Sequence, residues 1–205
     1  VEAGVSMLVA ACTAALGLGE GDYLVRINNR KIMDGLLQRI GLTTEQADYE
    51  ARRMTILRAM DKYDRLGLAG VSDLLGAGRR DESGDFTAGA GLDEAQIEAV
   101  IGLVSAQGAS RPEMLNALEA QIGDTAAGTS GIAELRDMDA LFTRLGYGVE
   151  RLCIDPSIVR GLGYYTGPVY EIDLTFDTPD SDGTVTRFGS VGGGGRYDDL
   201  IKRFK

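Results

Sequence analysis

The sequence predicts an α+β fold, and three observations carry that prediction. Residues 1–43 read as helix, strand and helix; residues 44–145 show helical patterning alone; and after Gly148 the period switches to the alternation of strands. The layout is α+β, all-α, α+β, which predicts two core parts, 1–43 and 146–205, separated by a helical insertion domain over 44–145.

The first element is a helix over Val1–Leu16, with Val5, Leu8, Val9, Cys12 and Leu16 as the expected buried stripe and Gly17 and Gly19 as its stop. Tyr23–Ile27 alternates in polarity and is rich in β-branched and aromatic residues, so it predicts a strand. A helix over Lys31–Ile40 follows and ends at Gly41. Thr43 or Thr44 then caps a long charged helix that runs to about Leu66, with Gly67 past its end. Residues 76–91 combine several glycines with Arg79, Arg80, Asp81, Glu82 and Asp85, a composition expected to form a mobile loop. Three helices are predicted near 93–106, 111–122 and 131–145, opened by Asp93, by Ser110 ahead of Arg-Pro, and by Thr129 or Ser130. Val149–Ile154, Val169–Phe176 and Thr184–Ser190 then read as strands, the last two as a hairpin around the turn-rich stretch 177–183. Arg196–Phe204 is predicted to be helical, and both chain ends look cut.

Composition narrows the chemistry. With 44% hydrophobic and 25% charged residues in 205, the chain has the make-up of a globular protein with a sizeable core, and no apolar stretch approaches the ~18 residues of a spanning helix. Histidine is absent, which removes Ser-His and Cys-His catalysis. Cys12 and Cys153 form no metal-ligand pattern and read as two buried thiols in a cytoplasmic setting. A formal charge of −10 opposes binding of a polyphosphate backbone unless Arg52, Arg53, Arg79 and Arg80 gather on one face.

Two glycine-rich stretches remain, Arg160-Gly-Leu-Gly-Tyr-Tyr-Thr-Gly167 and Gly189-Ser-Val-Gly-Gly-Gly-Gly-Arg-Tyr-Asp-Asp199. Neither is a P-loop or a complete dinucleotide fingerprint. Gly192–Gly195 could be a bulge or tight bend at a strand end, or a place where backbone approaches a ligand, with Arg196 and Tyr197 beside it favouring a site.

The segment Val159–Glu171 resembles the Arg-Gly-Leu-Asp-Tyr-Tyr segment peculiar to histidyl-tRNA synthetases, and Gly192–Leu200 resembles that family's Gly-Gly-Gly-Arg-Tyr-Asp segment. Val25–Gly35 is similar to the family's strand-to-helix junction, with Asn29 where histidine is usual. Gly163, where most of the family has aspartate, and Pro168 after Thr-Gly depart from the pattern. The likeness is weakest across 44–145, which matches the family's insertion only in place and helical content.

The resemblance implies part of a class II aminoacyl-tRNA synthetase core with an antiparallel sheet. It implies a homodimeric enzyme that activates histidine with ATP, as its Mg2+ complex, and charges tRNA(His). Arg160 would meet the α-phosphate and the substrate carboxylate as an electrostatic catalyst. Tyr165 and Tyr197, with Tyr164 nearby, would line the histidine pocket, and Gly194 and Gly195 would let the backbone approach the amino acid, so that Gly194→Val abolishes histidine binding. The family's dimer-forming motif, its arginine-bearing ATP loop, its last ATP-binding arginine and its anticodon domain have no match here, so this chain alone is expected to be inactive. The synthetase-like regulatory subunit of ATP phosphoribosyltransferase is the alternative, and it tends to lose the arginine and tyrosines retained at 160, 165 and 197. A dinucleotide-dependent oxidoreductase would require alternating strands and helices, which the helical middle lacks.

Overall fold

The computed structural model describes residues 1–161, 163–179 and 182–201. Its centre is a four-stranded sheet in the order β4 (Leu152–Ile154), β1 (Tyr23–Asn29), β5 (Pro168–Leu174), β8 (Ser190–Gly195). β1 runs parallel to β4 and antiparallel to β5, which in turn runs antiparallel to β8. The fold is therefore α+β, as the alternation of helical and strand patterns predicts.

The two faces of this sheet differ. Tyr23, Val25 and Ile27 pair with Leu174, Ile172 and Tyr170 on a face covered by helices. Arg26, opposite Glu171 and Cys153, lies on the other face, which is polar. There Arg26 donates through Nε to Asp155 and through Nη1 to Asp173, each at 3.0 Å. Asp64 of α4 (Tyr63–Leu75) approaches the same guanidinium at 3.5 Å, which ties the helical segment to the sheet.

On the covered face lie α1 (Glu2–Ala15), α2 (Arg30–Arg39) and α7 (Ala126–Arg144). α1 turns the expected stripe around. Ala3, Ser6, Ala10 and Thr13 are buried, whereas Val5, Leu8, Cys12 and Leu16 are exposed. Small side chains allow the helix to approach closely: Tyr23 Oη donates to the Ala10 carbonyl at 2.8 Å. Ser6 and Thr13 satisfy their hydroxyls on carbonyls four residues back, so the polar face is buried without unpaired groups. α7 is capped by Thr125, which accepts from Gly128 N four or five residues before the expected caps, and packs along α2.

The remaining helices are α3 (Tyr49–Met60), α5 (Glu94–Val104) and α6 (Arg111–Ile122). The single helix expected from Thr44 is two, α3 and α4, broken at Asp61–Lys62; at Gly67 the backbone leaves the helical region with φ +62°, so the helix stop expected there is a kink that divides α4. α5 and α6 begin where predicted, at a complete Asp93–Gln96 capping box and at Ser110. Residues 76–91 are not a loop but hold a hairpin, β2 (Gly78–Arg80) with β3 (Phe86–Ala88). At the far end the glycines themselves make β8, and a short pairing of β6 (Thr178–Pro179) with β7 (Val185–Thr186) precedes it. The helix expected over 196–204 is a turn to Ile201, and its last part lies outside the described residues.

Candidate active site

β8 is the outer strand of the sheet among the described residues, and its glycines leave its surface bare. Side chains from neighbouring segments close over it. A Cβ on Gly193 would stand 2.7 Å from Arg160 Cδ, and one on Gly195 would stand 2.8 Å from the ring of Tyr165. Both glycines sit on the polar face, so Arg160 and Tyr165 lie directly over backbone. Gly194 points to the other face, where a Cβ would meet Tyr170 Oη at 2.5 Å. On the polar face it is Gly193, not Gly194, that accompanies Gly195.

Arg160 follows β4 by way of a segment that leaves the sheet at Asp155. Its Nη2 donates to Glu171 Oε1 at 2.6 Å and to Ser190 Oγ at 2.7 Å. The hydrogen bond to Glu171 is the main reason its pKa lies above the ordinary arginine value, with burial opposing it. The side chain remains 42% exposed, so further donors are open to a ligand. Gly161 follows with φ +74°, and the Tyr165 ring fills the space its Cβ would need, which requires glycine there on both counts.

The tyrosines gather on the side of this face next to α2. Tyr164 lies 4.4 Å from Tyr165 and 5.4 Å from Tyr197 between ring centroids. Burial, and then the hydrogen bond with Tyr164, raise the Tyr165 phenol above its usual pKa, so it stays a neutral donor and acceptor at physiological pH. The three rings border a cavity of about 370 Å³ whose opposite wall holds Arg30, Asp34 and Arg53. Arg53 contacts Asp34 at 3.5 Å, and burial pushes the Asp34 carboxyl above the usual carboxylate range.

Of the residues picked out by sequence, Arg160, Tyr165 and Gly195 thus meet on one face, Tyr164 and Tyr197 join through the ring cluster, and Gly194 lies behind the sheet. Glu171, Ser190 and Gly193 were missed although all lie within or beside the glycine motifs. Arg30, Asp34 and Arg53 carried a weaker signal; the first two sit in the strand-to-helix junction 25–35. Cys12 is exposed rather than buried. Among the described residues no cluster of His, Cys, Asp or Glu is arranged to hold a metal ion.

The sheet with its open polar face and helical backing is the fold of a class II aminoacyl-tRNA synthetase core. A histidyl-tRNA synthetase structure from Nostoc sp. PCC 7120 superposes with a TM-score of 0.75 and 27% identity, over 98% of this chain and 41% of that one. Residues 2–205 match the family described as Histidyl-tRNA synthetase, and the chain belongs to that family. It is 49% identical to a histidine–tRNA ligase of Jannaschia sp. (strain CCS1) and 50% identical to one of Methylocella silvestris, over 99% and 100% of its length. The chain spans about 40% of the length of these curated relatives.

Proposed function

We propose that the chain supplies the amino-acid side of the catalytic site of a histidine–tRNA ligase. The observation that carries this reading is the placement of Arg160 and Tyr165 side by side over the bare backbone of Gly193 and Gly195. The glycines let these side chains lie flat on the strand, and the resulting arrangement, a cation at one end and phenols at the other, suits a small zwitterion. The substrate carboxylate would lie towards Arg160, and the imidazole, which needs one acceptor and one donor, towards Tyr165 and Tyr197.

In the activation step a carboxylate oxygen of histidine attacks the α-phosphorus of ATP. The bond from that phosphorus to the bridging oxygen breaks, and pyrophosphate leaves with the electron pair; Mg2+ entering with the nucleotide would offset its charge. Arg160 is a fixed, permanently charged fork beside the reacting carboxylate, and its contribution is electrostatic. The 3′ adenosine of tRNA(His) then takes the histidyl group and AMP departs. The remaining parts of the reading are a homodimer working in the cytoplasm, with the nucleotide-side groups supplied by the rest of a protein as long as the curated relatives. The helices here carry no span long and apolar enough to cross a membrane among the described residues.

The test is histidine-dependent pyrophosphate exchange by the full-length protein, with Arg160→Ala and Tyr165→Phe as variants. Exchange that collapses in Arg160→Ala supports the ligase. Histidine binding without exchange in the unmodified protein would instead point to a histidine-sensing subunit. The isolated 205-residue chain is expected to show no exchange, because positioning of both substrates supplies much of the rate.

A further inference from the structure

Between β4 and β5 the chain leaves the ladder after Asp155, whose N–H donates to the Ile27 carbonyl at 2.8 Å, and rejoins it at Thr166, whose N–H donates to the Arg196 carbonyl at 2.8 Å, so carbonyls between these points need partners from outside the sheet. Two side chains at the β1–α2 junction supply them. Asn28, fully enclosed, donates through Nδ2 to the carbonyls of Pro156 at 3.2 Å and Ile158 at 2.9 Å. Arg30, only 3% exposed, donates through Nη1 to the Val159 carbonyl at 3.5 Å. Its Nη2 donates to the carbonyls of Arg160 at 3.0 Å and Gly161 at 2.8 Å. The backbone N–H of Arg30 donates to the carbonyl of Gly167 at 2.9 Å. One residue therefore holds both ends of the stretch that carries Arg160, Tyr164 and Tyr165.

The choice of side chain is informative. Burying a guanidinium is costly, and burial holds the pKa of Arg30 below the ordinary arginine value; Arg53 adds repulsion and Asp34 offsets part of it from a distance. The hydrogen bonds of Arg30 go to consecutive backbone carbonyls on either side of Arg160 rather than to a carboxylate. A planar fork can span such a row of acceptors, whereas an ammonium is a single point of charge. Gly161, in its left-handed conformation, sits where Arg30 grips it and where Tyr165 folds back over it.

We propose that Arg30 is a positioning residue for histidine activation: it fixes the backbone of Arg160 and Gly161, and through them sets the Arg160 guanidinium over Gly193 and the Tyr165 ring over Gly195. The proposal rests on the ligase reading. Arg30 also stands in the wall of the cavity bordered by the tyrosines, but its hydrogen bonds go to the carbonyls of Val159, Arg160 and Gly161, so its part is positioning.

The experiment is a double-mutant cycle in the full-length protein, with Arg30→Lys and Arg160→Lys alone and combined. kcat for histidine-dependent pyrophosphate exchange is measured per active site, so that unfolded molecules do not count. Misplacing a catalytic group by about an ångström can cost on the order of a hundredfold, and a loss of that order in kcat is expected for Arg30→Lys. Because Arg30 acts through Arg160, the double variant is expected to fall no more than about threefold below the weaker single variant. Multiplicative losses, or an Arg30→Lys enzyme within about twofold of the unmodified kcat, would overturn the proposal. Arg30→Gln takes the place of the lysine variant in the same cycle if the latter does not fold. Absence of exchange in the unmodified protein is a different failure, that of the ligase reading.

Discussion

Arg160 and Glu171 meet at 2.6 Å across the polar face of the sheet, the arginine from the segment after β4 and the glutamate from the middle of β5. Glu171 is mostly buried and opposes Gly193 in the ladder, so the pair fixes the guanidinium over the glycine floor. Glu171→Gln keeps the shape and removes the charge. Exchange by the full-length protein should fall by about tenfold, while the partly exposed pair contributes about 1 kcal/mol or less to stability. Exchange assays beside thermal melts separate the two effects; a drop in melting temperature with unchanged exchange would make the pair a folding contact only.

The glycines of β8 should respond by face. Gly193→Val and Gly195→Val push into Arg160 and Tyr165, and calorimetric titration of the full-length protein should show histidine affinity lost in both. Gly194→Val presses on Tyr170 behind the sheet, so its effect should be a smaller loss of affinity with a destabilisation of about 1–3 kcal/mol from overpacking. Equal loss of affinity in all three would mean that the strand as a whole had been displaced.

Arg111, at the start of α6, is a second buried cation. It donates through Nε to Asp139 at 2.5 Å, through Nη1 to the Leu152 carbonyl at 2.8 Å and through Nη2 to the Tyr147 carbonyl at 2.9 Å. It thus joins α6, α7 and β4. Arg111→Met takes the cation from the mostly buried Asp139 carboxylate, leaving it only the Thr143 hydroxyl, and removes the partner of the Leu152 and Tyr147 carbonyls, so it should cost about 3–5 kcal/mol in urea denaturation. A cost below about 1 kcal/mol would show that the carbonyls find water instead.

Cys12 and Cys153 should differ in reactivity. Cys12 is exposed, whereas burial, reinforced by Asp155, pushes the Cys153 thiol up to about 12. At pH 8 a disulfide reagent should label Cys12 rapidly and Cys153 only on unfolding. An unfolded thiol titrates near about 8.5 while the native one holds its proton to about 12, so the native state binds more protons between these values. Stability should therefore fall as pH rises through that window, and Cys153→Ser should flatten the fall. Equal labelling rates at the two thiols in the native protein would contradict the greater enclosure of the half-buried Cys153.

Sequence alone was most informative where local rules and tertiary packing agree. The Asp93 and Ser110 caps and the alternation of Tyr23–Ile27 each placed an element within a residue or two. It failed where a close contact outweighed hydrophobicity. α1 buries alanine, serine and threonine because Tyr23 needs the helix backbone within hydrogen-bonding reach, which Leu8 or Val5 would prevent. β8 was hidden because glycine has no strand propensity; the ladder to β5 and the side chains above it make it a strand. At the site, Arg160, Tyr164, Tyr165 and Tyr197 could be picked from motifs, but Arg30 and Glu171 act through neighbours more than ten residues away, and no local pattern announces such a contact.

The place of β1 in the sheet also bears on how the chain is made. β1 lies between β4 and β5, and Asn28 finds its acceptor at Ile158 across a separation of 130 residues. At ribosomal rates of about 5–20 residues per second, β1 leaves the exit tunnel on the order of ten seconds before its partners exist. During that interval Val25 and Ile27 have α1 and α2 as cover but no strand on either side, and the helices of the insertion can form from local contacts. The nascent chain is then exposed to pairing with a strand of another chain, and engagement by a chaperone should be concentrated in that window.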